Sequence, residues 1–298
     1  MADIDTNRSP PQHALGAALH RRPKLRLALI LSPPLGWLAV FYLGALVLLL
    51  VNAFWTVDSL TARIVKDWSL QNFETLWSSP VYRTITLRTV WMASAVTVAD
   101  IVLAVPISYF AARVASRRAR SALLVAVVMP LWTSYLIRAF AWQTITSPRG
   151  LLESVLDTVG LPSAGIGNSL WSIWLTFTYL WLPFVVLPVY AALERVPESY
   201  LEASSDLGAK GWTTLRKVVW PLALPGIVAG SVFSFSLTLG DYLAPLLVGN
   251  TKLIGNVIYD SVGVANNLPF AAAFAMVPIA IMGVYLIVAR KLGAFEAL

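Results

Sequence analysis

Six apolar stretches, near residues 27–54, 85–112, 121–145, 169–193, 223–248 and 268–290, decide what this chain folds into, because each is long enough to cross a lipid bilayer. A spanning helix needs about 20 mostly apolar residues, since its backbone amides must be satisfied inside the segment where lipid is the solvent. Only 12% of residues are charged and 58% are hydrophobic, against about 25% charged in a soluble domain. The predicted fold is all-α, a polytopic membrane protein with six transmembrane helices. Pro33 and Pro34 fall early in the first stretch, so its helix is expected to enter the bilayer kinked or to begin after them. The apolar run beyond them is too long for a cleaved leader, whose core is about 7 to 15 residues. The first span is therefore read as uncleaved, with a disordered tail before it.

Whole classes of chemistry are excluded by what is missing. Both histidines, His13 and His20, precede the first span, and the chain has no cysteine. No histidine or thiol is left at membrane depth to ligate a metal or act as base or nucleophile, and no catalytic or metal residues are assigned. An intramembrane protease with a Ser–His pair is impossible, and no span holds the lysine of a Ser–Lys type. A self-sufficient secondary transporter calls for internal repeats or ion-coordinating polar clusters, and neither is visible.

Orientation follows from lysine and arginine, which stay on the cytoplasmic side. Of 22 such residues, 15 lie in the N-terminal tail, in the 113–120 loop (Arg113, Arg117, Arg118, Arg120), in a segment near 194–222 (Arg195, Lys210, Arg216, Lys217) and at the C-terminus. Six lie in or beside the other loops, and Arg138 falls within the third span. Both termini and the 194–222 segment are expected in the cytoplasm. The net charge of +7 marks that inner rim and not a nucleic-acid site.

The 194–222 segment is a charged, glycine-broken elbow between two apolar stretches. Pro197 suits the first turn of a helix, Glu198 favours its positive end, and Gly208 suits its C-terminal cap. Glu194, Glu198, Glu202 and Asp206 recur every four residues and predict an acidic stripe along that helix. Pro221 is expected to end a second short helix that starts after Gly211.

Glu202, Ala203, Ser204, Gly208, Val218, Trp220 and Pro221 keep the spacing of a known signature: Glu-Ala-Ala, three residues, Gly, nine residues, Ile, one residue, Leu-Pro. Ser204, Val218 and Trp220 are the departures. The segment thereby resembles the EAA elbow of permease subunits of binding-protein-dependent ABC importers. That resemblance implies a type I importer permease fold. It also implies that Glu202, Ala203, Ser204, Gly208 and Pro221 couple the spans to a cytoplasmic ATPase dimer. A second permease subunit and an extracytoplasmic solute-binding protein would complete the complex in a bacterial inner membrane. The chain has no G-x-x-x-x-G-K-[ST] loop, so ATP and its Mg belong to the partner ATPase, and no cofactor is expected here. The implied organisation is a tail over 1–26, a first span with its outer loop over 27–84, a core permease domain over 85–290 and a cytoplasmic end over 291–298.

Asp100, Arg138 and Asp241 are ionisable residues at membrane depth, where each is expensive unless paired or functional. An Asp100–Arg138 ion pair and a place on the substrate path are both open to the first two. The pairing would leave Asp241 without a basic partner and make it the better path residue. Asp241 and Tyr242 lie in Gly-Asp-Tyr-Leu-Ala-Pro, with Ile254-Gly255 beyond. These residues, with Trp68 to Phe73 and Pro130-Leu131-Trp132-Thr133 before Leu136-Ile137-Arg138, resemble spermidine/putrescine permeases. Iron, sulfate, opine or amino-acid-like solutes are the alternative cargo. A carboxylate and an aromatic face, as in Asp241 and Tyr242, suit an ammonium chain. Gly226 and Gly230 form a G-x-x-x-G that fits packing either against the second permease or within the chain.

Overall fold

The computed structural model describes residues 23–58 and 61–291, with side chains from Leu27 onward. The expected tail over 1–26 thus lies almost wholly outside the described residues, and the C-terminal end beyond Lys291 does so entirely. The chain divides at Asn52 into two compact parts.

The first part is helical from Pro23 to Asn52, as α1 (Pro23–Trp37), a wide i→i+5 turn (Leu38–Leu43) and α2 (Gly44–Asn52). Pro33 and Pro34 lie inside α1, so the helix neither ends at them nor starts after them. Leu27–Asn52 is 26 residues of spanning length and apolarity, and none of it is buried within this part.

The second part opens with a two-stranded hairpin, β1 (Thr56–Val57) against β2 (Ile64–Val65), with Thr56 opposite Val65. Asn72 fastens its base: the side-chain amide donates to the carbonyls of Ala53 (3.0 Å) and Trp55 (2.8 Å). Helices follow: α3 (Gln71–Ser78), α4 (Pro80–Tyr109), α5 (Arg117–Val128), α6 (Tyr135–Thr146), α7 (Leu151–Val159) and α8 (Leu170–Glu194). Then come α9 (Glu198–Asp206), α10 (Gly211–Thr214), α11 (Trp220–Gly240), α12 (Leu243–Val248), α13 (Ile254–Gly263) and α14 (Leu268–Lys291).

Among the described residues five helical runs are long and apolar enough to cross a membrane: Leu27–Asn52, Pro80–Val114, Leu170–Glu194, Gly211–Gly240 and Leu268–Lys291. The sixth expected span, near 121–145, is not one helix. It is a pair of helical runs, Arg117–Trp132 and Tyr135–Val159, bent by 98°. Pro130 tightens the chain into a 3₁₀ turn over Met129–Trp132. Both the amide and the hydroxyl of Thr133 then donate to the Pro130 carbonyl, and Thr133 and Ser134 run extended before α6 begins.

The core is built around α8. Val185, Val186, Val189 and Leu193 pack with Ala104 and Ala112 from α4 and its continuation, and with Val219, Ala223 and Ile227 at the start of α11. Lipid removes most of the hydrophobic drive between helices, so close approach through small residues sets the packing. A Cβ on Gly226 would come within 2.5 Å of the Pro188 carbonyl oxygen, and one on Gly230 within 2.9 Å of the Val185 Cα. The G-x-x-x-G face therefore packs within the chain, on α8.

The helix of the fifth span starts nearly three turns before Pro221, at Gly211, against the expectation that this proline ends a helix. The helix is continuous from Gly211 to Gly240. Its turn over Leu215–Val219 is a wide i→i+5 turn, and Pro221 sits in the first turn of α11, where the missing amide donor is not required.

Candidate functional site

The elbow is α9, a turn, and α10. Pro197 is extended and caps the start of α9, with Glu198 in the first turn. Glu194 belongs instead to the end of α8, on the far side of the break at Arg195–Pro197, so the acidic stripe on α9 is Glu198, Glu202 and Asp206 only. Period-four spacing runs across a break that the sequence marks with Pro197. Glu194 has partners of its own: the Tyr190 hydroxyl donates to it at 2.7 Å and Arg120 lies 3.5 Å away.

Gly208 stands at φ +75°, the left-handed conformation that ends a helix. Its amide donates to the Ser205 carbonyl (2.8 Å) and the Ala209 amide to that of Ser204 (3.1 Å), which satisfies the last carbonyls of α9. Glu202, Ala203 and Gly208 are exposed. Ser204 is buried, and its hydroxyl meets that of Thr214 at 2.9 Å, fastening α9 to α10. Leu207 at 88% and Trp212 at 72% exposure give the elbow an apolar outer surface.

Arg113, counted in the sequence only as a topology signal, ties the elbow to α4. Its Nη2 donates to the carbonyls of Leu193 (2.6 Å) and Val196, at the end of α8. Arg120 donates to Ala111 (3.0 Å) and Ala112 (3.2 Å) at the end of the α4 run.

At membrane depth a second constellation forms where two helix breaks meet. After Gly240 the chain leaves α11, and Asp241 turns extended. One Asp241 oxygen accepts the Ala244 amide at 3.0 Å, capping the short helix α12, and the other accepts the Tyr135 hydroxyl at the first turn of α6. The Tyr135 ring stacks on Trp181 of α8, centroids 5.9 Å apart and 15° from parallel. Trp181 is buried and its indole N–H meets no acceptor among the described residues. Tyr242 is 40% exposed and stacks on Tyr259 at 4.7 Å and 9°. A Cβ on Gly255 would come within 2.5 Å of the Asp241 carbonyl oxygen, so only glycine lets α13 approach this turn. Asn256 fixes the approach by donating to the Tyr242 carbonyl at 2.8 Å.

Asp100 and Arg138 do not form the ion pair that was one of their two expected arrangements. Arg120 pairs instead with Glu194, and Lys252 with Asp260. Asp100, fully buried in α4, accepts the Ser234 hydroxyl of α11 at 2.5 Å. Arg138 sits one turn beyond Tyr135, with Nε and Nη1 buried and donating to nothing among the described residues. Sequence reasoning missed Tyr135, Ser234, Asn256 and Thr214. Hydroxyls and amides at membrane depth were the available signal, since each needs a partner there.

A bundle of long apolar helices, with one span broken beside polar groups and an exposed elbow at one end, is the architecture of a membrane transport subunit. Residues 104–293 match the family model of the binding-protein-dependent transport system inner membrane component. The chain is 42% identical to the inner membrane ABC transporter permease protein YdcU of Escherichia coli K12, over 97% of this chain and 98% of that one. It is 32% identical to the spermidine/putrescine transport system permease protein PotB of the same organism, covering 85% and 92%. It is also 30% identical to PotB of Haemophilus influenzae, covering 85% and 87%. In fold it resembles a bacterial alginate ABC transporter solved in complex with an alginate-bound periplasmic protein, with TM-score 0.73, 18% identity, and 92% and 95% coverage. The MetNI methionine ABC transporter matches with TM-score 0.56 at 19% identity, over 72% of this chain and 98% of that one.

The chain belongs to the family of binding-protein-dependent transport system inner membrane components. It is a multi-pass inner-membrane permease of an ABC importer.

Proposed function

We propose that this permease forms half of the translocation path for a polyamine such as putrescine or spermidine, driven by ATP hydrolysis on a separate cytoplasmic ATPase dimer that binds ATP with Mg. A second permease supplies the other half. An extracytoplasmic binding protein delivers cargo to the segments over 55–84, 146–168 and 249–267. Both termini and the elbow face the cytoplasm, as the distribution of basic residues supports.

The observation that carries the coupling role is the elbow geometry: an exposed helix bearing Glu202 and Ala203, stopped at Gly208 and latched to α10 through Ser204 and Thr214. A short rigid helix so fastened moves as a unit with α11. The polyamine reading is supported by the likeness to PotB and by the aromatic pair Tyr242–Tyr259, exposed beside the Asp241 turn. Stacked tyrosine faces attract ammonium groups by about 0.5 to 2 kcal/mol, depending on desolvation.

ATPase stimulation in the reconstituted complex, by putrescine and spermidine against an iron chelate, sulfate and a neutral sugar, tests the substrate class. Stimulation by polyamines that Tyr242→Ala weakens is the expected result. Stimulation by another solute alone would discard polyamines and keep the importer.

A further inference from the structure

Arg138, a cation at membrane depth, is among the described residues that the fold leaves with buried polar atoms unsatisfied. Arg138 is three residues after Tyr135 on α6, so the two side chains share a helix face. Tyr135 already reaches Asp241 from that face. Arg138 stops short, with no ion pair to Asp241 within 4.0 Å and with two buried nitrogens donating to nothing among the described residues. Leaving a buried donor unmade costs about 1 to 3 kcal/mol, and more for a charged group. Asp100, the other carboxylate at this depth, accepts the Ser234 hydroxyl across the α4–α11 seam with one oxygen, and forms no ion pair with Arg138.

We propose that Asp241 has two alternative partners on α6, the Tyr135 hydroxyl that holds it in the present conformation and the Arg138 guanidinium, and that exchange between them is a step of the transport cycle. This rests on the importer reading above. The element that must move is built for it. α6 is bounded by extended residues at both ends, Thr133–Ser134 before it and Ser147 after it, so its twelve residues can turn as one body without unwinding a neighbour. A rotation of α6 by about 60° with a slide of about 4.5 Å along its axis brings Arg138 to where Tyr135 stands. The exchange also gives Arg138 a counter-ion in one state, where a lone cation on the path would repel cationic cargo. Asp241 thereby acts as a positioning residue for the two breaks, and Arg138 and Tyr135 compete for it.

The chain has no cysteine, so a spin-label pair at Phe140→Cys on α6 and Leu246→Cys on α12, both about half exposed, reports the α6–α12 distance without background from this chain, once any exposed cysteines of the partner subunits are replaced. The labels are read in the full complex. Tyr135→Phe removes one partner and Arg138→Gln the other. The two substitutions are expected to shift the balance of short and long distances in opposite directions, each by about fivefold or more, while Arg138→Lys stays near wild type. Shifts in the same direction, or none, overturn the exchange. The label distances do not depend on what is transported. Failure of the importer reading shows instead as the absence of any solute-stimulated ATP hydrolysis by the wild-type complex.

Discussion

Gly208 is held at φ +75° with nothing within 4 Å of where a Cβ would stand, so its requirement is conformational and not steric. A side chain in that region costs about 1 to 2 kcal/mol. Gly208→Ala is expected to lower the stability of the elbow by about that amount, seen as faster amide exchange over α9 and α10 with the spans unchanged. Wild-type exchange would show that the turn is free to rearrange. The capping role of Gly208 was legible in the sequence because glycine is the residue that takes a left-handed cap at least cost, and it falls two residues after Asp206 of the acidic stripe. Tyr135 was not. It is one of ten tyrosines, and only the meeting of two distant breaks distinguishes it. Asp241 was picked out by its charge, but its two oxygen partners, Tyr135 and the Ala244 amide, depend on where the chain turns.

At the scale of elements, the long spans were readable because bilayer thickness fixes a length and apolarity that few other structures share. The second, fourth and sixth spans fall within a few residues of their expected limits. Two local rules misled. An unbroken apolar run near 121–145 concealed the 98° bend, whose cause is Pro130 with the Thr133 hydroxyl and not a change in hydropathy. Pro221 was read as a helix stop, but the wide turn before it absorbs the proline and the helix runs on. Packing between elements yields a sharper expectation. Gly230→Leu would drive a large side chain into the backbone and side chain of Val185 on α8. Overpacking of this kind typically costs about 1 to 3 kcal/mol. A melting temperature lowered in detergent, with the isolated chain and without any partner, is expected. An unchanged isolated chain that fails only to assemble would move this face to the subunit interface.

At the scale of the whole molecule, one continuous helix from Gly211 to Gly240 joins the second half of the exposed elbow to the Asp241 turn. The wide turn at Leu215–Val219 leads from α10 directly into α11, which ends at Gly240 beside Asp241. Arg113 adds a second link, from the α4 run to the carbonyls at the start of the elbow. Under the proposed coupling, a displacement of α10 reaches the Asp241 turn along this helix, while α9 is joined to α10 by the Gly208 turn and the Ser204–Thr214 contact. The measurement that bears most directly on this is ATP-driven uptake of labelled putrescine into proteoliposomes, alongside ATP hydrolysis, for wild type and Glu202→Ala. The account predicts that the variant assembles and keeps its spans, while uptake per ATP hydrolysed falls by about tenfold or more, the equivalent of about 1.4 kcal/mol. Uptake per ATP equal to wild type in Glu202→Ala would contradict it.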